Sequence, residues 1–364
     1  MLIIKLVLSM KKIQFKSSVF IALFSFLTLP YVSFAQSDSS VEELSKPIAI
    51  AIHGGAGTIK KSKFTPELEA AYRAKLAQAV ETGYSVLNKG GSSLDAVTAA
   101  INVLENSPFF NAGKGAVYTY DETHEMDASI MYGKNRQAGA VSGVKQIKNP
   151  IDLARLVMDE SVHVMLSGEG AEQFAKTQGV ELVDNKIFDT EHRYKSLLKA
   201  KEKMKKAKQE NKNYQAAHET LETEYKVGTV GAVALDSFGN ISAGTSTGGM
   251  TNKRFGRIGD APVIGAGTFA DNSSCAVSAT GHGEYFIRYN VAADICARVQ
   301  YQDKSIVQAG KEVIHDVLMP VGGTGGVIII DTQGNISMPF NTTGMYRAKK
   351  SSTSKTYVGI FSNE

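Results

Sequence analysis

Apolar and polar positions along this chain switch between a period near two and a period near 3.6, and the switches mark its elements. Lys46–Ile52 reads as a short apolar strand that runs into a glycine-rich turn, His53-Gly54-Gly55-Ala56-Gly57. Thr65-Pro66-Glu67 then opens a helix, with threonine as cap and proline at the first helical position. That helix runs to Asn88 and stops at Gly90-Gly91. A second helix from Ser92/Ser93 to Asn106 puts Leu94, Val97, Ile101 and Leu104 on one face. Gly115–Tyr120, Met126–Tyr132 and Ala138–Val144 are strand-like, and Asp152–Met158 begins more helix.

Residues 199–226 break this rhythm. They are dense in Lys and Glu, lack Gly and Pro, and read as a flexible charged linker or solvated helix. Beyond them, Val227–Asp236 and Ile241–Thr247 are strands around the turn Ser237-Phe238-Gly239-Asn240. Met250–Pro262 is irregular and rich in glycine and charge. Val263–Phe269 and Ser274–Thr280 are again strand-like, Glu284–Gln300 and Ser305–Leu318 helical, and Val327–Asp331 with Ile336–Pro339 form a hairpin. Strands, then helices, then strands predict an α+β fold with packed sheets rather than repeating βαβ units.

Composition narrows the class. With 43% hydrophobic residues in 364, a sizeable core is available. The net charge of +4 resides in the first 35 residues, which hold Lys5, Lys11, Lys12 and Lys16 and no acid. The remainder is balanced, so a nucleic-acid surface is not expected. The same segment has the layout of a signal peptide: a basic start, an apolar run Val19–Leu29 too short to span a membrane, Pro30, and the small-x-small site Ser33-Phe34-Ala35. The mature chain is expected from Gln36, secreted or periplasmic and not membrane-bound. The two cysteines, Cys275 and Cys296, fall in a strand-like and a helical stretch and are expected as buried free thiols. Asp95 and Asp127 read as structural, serving a helix start and a turn.

The chemistry centres on Gly228-Thr229. If the two strands pair through their turn, Thr229 lies within one residue of opposite Thr247, and cross-strand neighbours sit about 5 Å apart. Gly228, Gly231, Gly244, Gly248 and Gly249 leave room for a ligand near the backbone. A threonine hydroxyl needs a base to attack. Cleavage before Thr229 would supply one on the same residue, an α-amine with a pKa of about 7.7–8.0. Gly228 tolerates the strained peptide that an N-to-O acyl shift requires.

Ordered motifs across the chain resemble the plant-type L-asparaginase/isoaspartyl peptidase family of N-terminal-nucleophile hydrolases. They are His53–Gly57, Asp95-Ala96-Val97, Leu104–Gly115, Met126–Met131, Gly228–Asp236, Thr245–Phe269, Thr280–Glu284 and Pro339–Arg347. The resemblance implies a four-layer αββα sandwich made of two subunits cut from one precursor, 36–228 (α) and 229–364 (β), within one folded domain. It also implies a dimer of such heterodimers. Thr229 would be nucleophile and, through its amine, base, with Thr247 in support and Asn111 holding the nucleophile. Arg257 would grip the substrate α-carboxylate. Asp260 and the Gly283 carbonyl would take the α-ammonium, and Thr280 with Gly281 N–H would form the oxyanion hole. Carbonyls of Leu104, Glu105, Ser107, Phe110, Ala112 and Lys114 would bind a structural sodium ion; no catalytic cofactor is implied. The implied substrates are small molecules, β-aspartyl dipeptides and L-asparagine, hydrolysed to release L-aspartate.

Competing readings remain at this stage. The glycosylasparaginase branch places a His-Asp pair before its nucleophile, where this chain has Lys226-Val227-Gly228. Gly244-Thr245-Ser246-Thr247-Gly248 fits a serine-hydrolase elbow, with Asp260 and His282 or His315 following, but an elbow must turn directly into a helix. A processed, non-catalytic binding protein is the third.

Overall fold

The long strand β1 (Ala49–Gly57) is buried along its whole length, and its two faces meet different things. Ile50 and Ile52 face helices, whereas Ala49, Ala51 and Ala56 face a second sheet. Small residues on one face and large ones on the other let two sheets approach closely beneath a helical cover. The computed structural model describes residues 46–210 and 228–364. The segment read as a signal peptide and the later part of the charged linker, 211–226, lie outside the described residues.

Helices α1 (Pro66–Asn88) and α2 (Ser93–Glu105) start where their caps predict. Thr65 Oγ1 accepts from Leu68 N at 3.2 Å and Ser92 Oγ from Asp95 N at 3.1 Å. Strands β2 (Met126–Tyr132) and β3 (Ala138–Val144) form a hairpin, followed by α3 (Pro150–Glu160), β4 (Met165–Ser167), α4 (Gly168–Thr177) and α5 (Glu191–Gln209). Next come β5 (Val230–Leu235), β6 (Ile241–Thr247), β7 (Thr268–Ala270) and β8 (Ala276–Gly281). Helices α6 (Gly283–Arg288), α7 (Val291–Gln302) and α8 (Ile306–Lys311, continued as a π-helical stretch to Leu318) lead to β9 (Gly325–Ile330) and β10 (Ile336–Ser337). The hairpin β11 (Gly344–Ser351) and β12 (Ser354–Phe361) ends the fold.

These strands make an eight-stranded sheet, β12-β11-β1-β5-β6-β2-β3-β4, and a four-stranded sheet, β10-β9-β8-β7. Among the strands of the described residues, β3 and β4 pair in parallel and the other pairs are antiparallel. The outer face of the large sheet packs on α1, α2 and α3 through Leu76, Val80, Val97, Ile101 and Ile151. The outer face of the small sheet packs on α7 and α8 through Val277, Ile295, Val313 and Ile329. Between the sheets lie Val233, Ala243, Ala276, Ile328 and Met345. The fold is mixed, with helices and sheets segregated as the α+β reading expects.

Several expectations need correction. His53–Gly57 is strand rather than turn: it pairs with β11 across a bulge between His53 and Gly55. Gly115–Tyr120 is not a strand but an irregular run after a single 3-10 turn, Gly113–Gly115. The first residues of the linker are ordered helix. Ala200 and Ala207 are buried, and Lys201 Nζ reaches Glu122 at 2.7 Å. The helix expected over Glu284–Gln300 breaks at Asn290, which sits at φ 49. Asp127 lies in β2, not in a turn, and its Oδ1 accepts from Gly143 N across a bulge in β3. Cys275 and Cys296 are not free thiols but a disulfide. Because α7 lies across β8, their Cα atoms come within 5.3 Å, a separation that sequence spacing does not reveal.

Candidate active site

The register of β5 and β6 pairs Val230 with Ser246, and one step further sets Thr229 against Thr247. Their hydroxyl oxygens are 3.1 Å apart, Thr229 donating. Thr247 is buried and also accepts from Gly249 N at 3.0 Å, so its oxygen is fixed from two sides. Asp127 follows in the same row, opposite Thr247 on β2.

The Gly228–Thr229 junction is crowded by main chain. Gly228 adopts φ +77, and a Cβ on Gly55 would stand 1.9 Å from its Cα. Both positions therefore require glycine, one for backbone conformation and one for close approach. The Gly228 carbonyl accepts from Asn111 N at 3.1 Å. Among the described residues, the Asn111 side chain makes its hydrogen bonds elsewhere than with Thr229. Its Nδ2 donates to Gly249 O at 2.7 Å and its Oδ1 accepts from Val117 N at 3.0 Å, which pins the loop leaving β6.

Thr229 is also held from behind. Its carbonyl is 3.0 Å from His53 Nδ1, and His53 Nε2 is 3.0 Å from Ser278 Oγ. A carbonyl only accepts, so Nδ1 carries the ring proton. Burial pushes the His53 pKa down to about 3, although the bond to Thr229 works the other way, so the ring is neutral and Nε2 accepts. Ser278 then donates to His53, and its 2.7 Å contact with Thr245 takes the Thr245 proton, which Thr245 shares with the Gly267 carbonyl at 3.1 Å. Thr268 donates in turn to Thr245 at 2.6 Å, and Ser129 closes the chain against Thr268 and the Ala261 carbonyl. All five of these side chains are fully buried. Sequence reasoning held His53, Ser129, Thr245 and Thr268 only as members of motifs, with no role assigned, and missed Ser278. Hydroxyls in strands carry no distinguishing pattern.

The other expected residues gather near the end of β8. Thr280 is buried, and its Oγ1 accepts from Ala56 N of β1 at 3.3 Å. Gly281 ends β8, and His282-Gly283 lead into α6. Asp260 is buried at 4% exposure. A Cβ on Gly283 would lie 2.7 Å from Arg257 Nη2 and 3.1 Å from Asp260 Oδ1. One small volume above Gly283 is thus within reach of a guanidinium and a carboxylate together. That is the charge pattern of a free amino-acid end. Arg257 also engages Glu284 with two hydrogen bonds of 2.9 Å. Burial raises the Glu284 pKa, but Arg257 overcomes it and holds the carboxyl at about 2.

The loop after α2 turns carbonyls toward two glycines. A Cβ on Gly115 would lie 2.0 Å from Phe110 O and 3.0 Å from Ser107 O, and one on Gly113 2.4 Å from Glu105 O. Such a cradle of main-chain oxygens suits a hard cation. The serine-hydrolase reading fails here. Gly244–Gly248 runs through strand β6 without turning into a helix, and buried Ser246 donates to Glu105 Oε1 at 2.6 Å in the helix-facing core.

Residues 46–360 match the asparaginase family. The chain belongs to this family. The chain is 50% identical to the isoaspartyl peptidase of Escherichia coli (strain K12) over 299 residues, covering 82% of this chain and 91% of that protein. It is 46% identical to a putative isoaspartyl peptidase/L-asparaginase of Dictyostelium discoideum, covering 84% and 93%. It is 43% identical to the isoaspartyl peptidase/L-asparaginase of Xenopus laevis, covering 88% and 96%. The family match spans both sides of Gly228-Thr229 and includes every residue placed in the site above.

Proposed function

We propose that this protein is a hydrolase of β-aspartyl amides, an isoaspartyl peptidase and L-asparaginase that activates itself by cutting before Thr229. The observation that carries the reading is the pair of hydroxyls Thr229–Thr247 together with a volume at Gly283, past the end of β8, that Arg257 and Asp260 both reach. Its relatives' names point the same way.

In the precursor, Thr229 Oγ1 attacks the Gly228 carbonyl carbon. Thr247 Oγ1 accepts the hydrogen bond of that hydroxyl, whose proton passes on to the Thr229 nitrogen as the C–N bond breaks, and Asn111 N–H supports the carbonyl oxygen as it gains charge. The amide becomes an ester at Thr229, and water cleaves it. Thr229 then keeps a free amine, which takes the Oγ1 proton as the oxygen attacks the substrate's side-chain carbonyl. The negative charge that develops on the substrate's carbonyl oxygen is met by Thr280 Oγ1 and Gly281 N–H. The leaving amine takes a proton from the Thr229 ammonium, and water resolves the acyl-enzyme to release L-aspartate. A glycosylasparaginase specificity is less well supported, since no His-Asp pair precedes Thr229.

The architecture proposed is a four-layer αββα sandwich, supported by helices on the outer face of each sheet. Cutting need not separate the pieces 36–228 and 229–364. β5 lies between β1 and β6, so strands of the second piece are interleaved with those of the first in one sheet. Two such pairs are proposed to associate as a dimer. The carbonyls of Leu104, Glu105, Ser107, Phe110, Ala112 and Lys114 would hold a sodium ion, which contributes charge that stiffens the loop carrying Asn111. Export is proposed on the leader-like first 35 residues, and the disulfide suits an oxidising compartment.

Intact mass and N-terminal sequencing of purified protein, with aspartate release from a β-aspartyl dipeptide, test the reading together. Two fragments, the second starting at Thr229, and one uncut chain for Thr229→Ala are expected. A fully active, uninterrupted polypeptide overturns it.

A further inference from the structure

Glu284, the second residue of α6, takes both Nε and Nη2 of Arg257, one on each carboxylate oxygen. A guanidinium held side-on in this way cannot turn about its Cδ–Nε bond without breaking both hydrogen bonds. Its far edge lies against two glycines: a Cβ on Gly259 would stand 2.8 Å from Nη1, and one on Gly283 2.7 Å from Nη2. The pairing with Glu284 uses the Nε–Nη2 edge of the guanidinium and not its Nη1–Nη2 edge, and Nη2 at the corner between them is the atom nearest the Gly283 volume.

We propose that Glu284 is the positioning residue of the substrate clamp, fixing the plane of Arg257 so that its Nη1–Nη2 edge faces the substrate's α-carboxylate above Gly283. This rests on the reading of the protein as a β-aspartyl hydrolase in which Arg257 binds that carboxylate. Arginine has a long, rotamer-rich side chain, and ordering it when substrate arrives would subtract from affinity. Glu284 pre-orders it during folding. The opposite role, an internal plug that occupies the substrate's place and must leave, fits the geometry less well. Glu284 takes the Nε–Nη2 edge and not the Nη1–Nη2 edge, and Nη2, the corner of both, is the guanidinium atom that lies against the Gly283 volume shared with Asp260. Arg257 is mostly buried and Glu284 half-exposed, so the carboxylate braces the guanidinium from its solvent side. His282 Nε2 also lies near this carboxylate, 3.7 Å from Glu284 Oε2.

Steady-state kinetics of Glu284→Gln on a β-aspartyl dipeptide separate these roles. Positioning predicts a KM raised about tenfold or more, the scale of a charge-assisted hydrogen bond, with a much smaller change in kcat. Inhibition by L-aspartate should weaken in parallel, and self-cleavage at Thr229 should proceed, since the clamp takes no part in it. In an Arg257→Lys background, which lacks the planar fork, adding Glu284→Gln should have little further effect. A KM that is unchanged or lower in Glu284→Gln overturns the proposal. If that variant folds poorly, Glu284→Asp, which keeps the charge but shortens the reach, should show the same raised KM, and a wild-type KM there overturns the proposal equally. Wild-type protein that fails to hydrolyse β-aspartyl dipeptides would instead remove the functional reading on which this rests.

Discussion

His53 holds Thr229 by its main chain, with Nδ1 3.0 Å from the Thr229 carbonyl oxygen, and not by the hydroxyl that is proposed to react. The hydroxyl chain behind His53 keeps that grip. Ser278→Ala leaves His53 Nε2 buried without its donor, a deficit of about 1–3 kcal/mol. Thr245→Val removes the next link, whereas Thr245→Ser keeps it. Slower self-cleavage and a lower urea midpoint are expected for Ser278→Ala and Thr245→Val, with near-normal values for Thr245→Ser. Equal behaviour of the Thr245 serine and valine variants would mean the hydroxyl chain has no part in holding Thr229.

The same histidine gives stability a pH dependence. Folded, His53 stays neutral down to about pH 3 because burial opposes its charge. Unfolded, it takes a proton near its ordinary value of 6.5. Between those limits the unfolded chain binds the extra proton, so acidification favours unfolding by up to about 1.4 kcal/mol per pH unit from this group. Above pH 6.5 the effect disappears. Urea midpoints measured from pH 7 to pH 4.5 should fall for the wild type and fall less for His53→Asn. Parallel curves for the two proteins would contradict a buried neutral histidine.

How much of this was legible in the sequence depended on whether the signal was local. The bounds of β2, β3 and β6 follow from apolar runs closed by turn residues, and α1 and α2 from Thr65 and Ser92. The Thr229–Thr247 approach was readable because a short turn sets register, and only the last residue of alignment was open. His53–Gly57 was misread because its glycines serve the approach of Gly228, a partner 173 positions after Gly55, rather than a local turn. The β11–β12 hairpin was not assigned past Pro339, as Lys349, Lys350 and Ser351 give it the polarity of an edge. The Cys275–Cys296 pair and the Arg257–Glu284 contact are tertiary in the same sense: each depends on where a helix docks.

The carbonyl cradle after α2 can be tested apart from catalysis. A ligand that binds only the folded state stabilises it by RT ln(1 + [L]/Kd), about 2.7 kcal/mol at a hundredfold excess over Kd. Sodium bound by these carbonyls should therefore raise the melting temperature relative to choline at equal ionic strength, which holds general screening constant. Gly115→Ala places a methyl group 2.0 Å from the Phe110 carbonyl oxygen and fills the cradle. That variant should melt lower and lose the difference between the two salts. Because the loop carries Asn111, whose N–H meets the Gly228 carbonyl at 3.1 Å, it should also cut itself more slowly. A wild type that melts identically in sodium and choline, or a Gly115→Ala protein that keeps the sodium response, would show that the carbonyls of Glu105, Ser107 and Phe110 converge for packing alone.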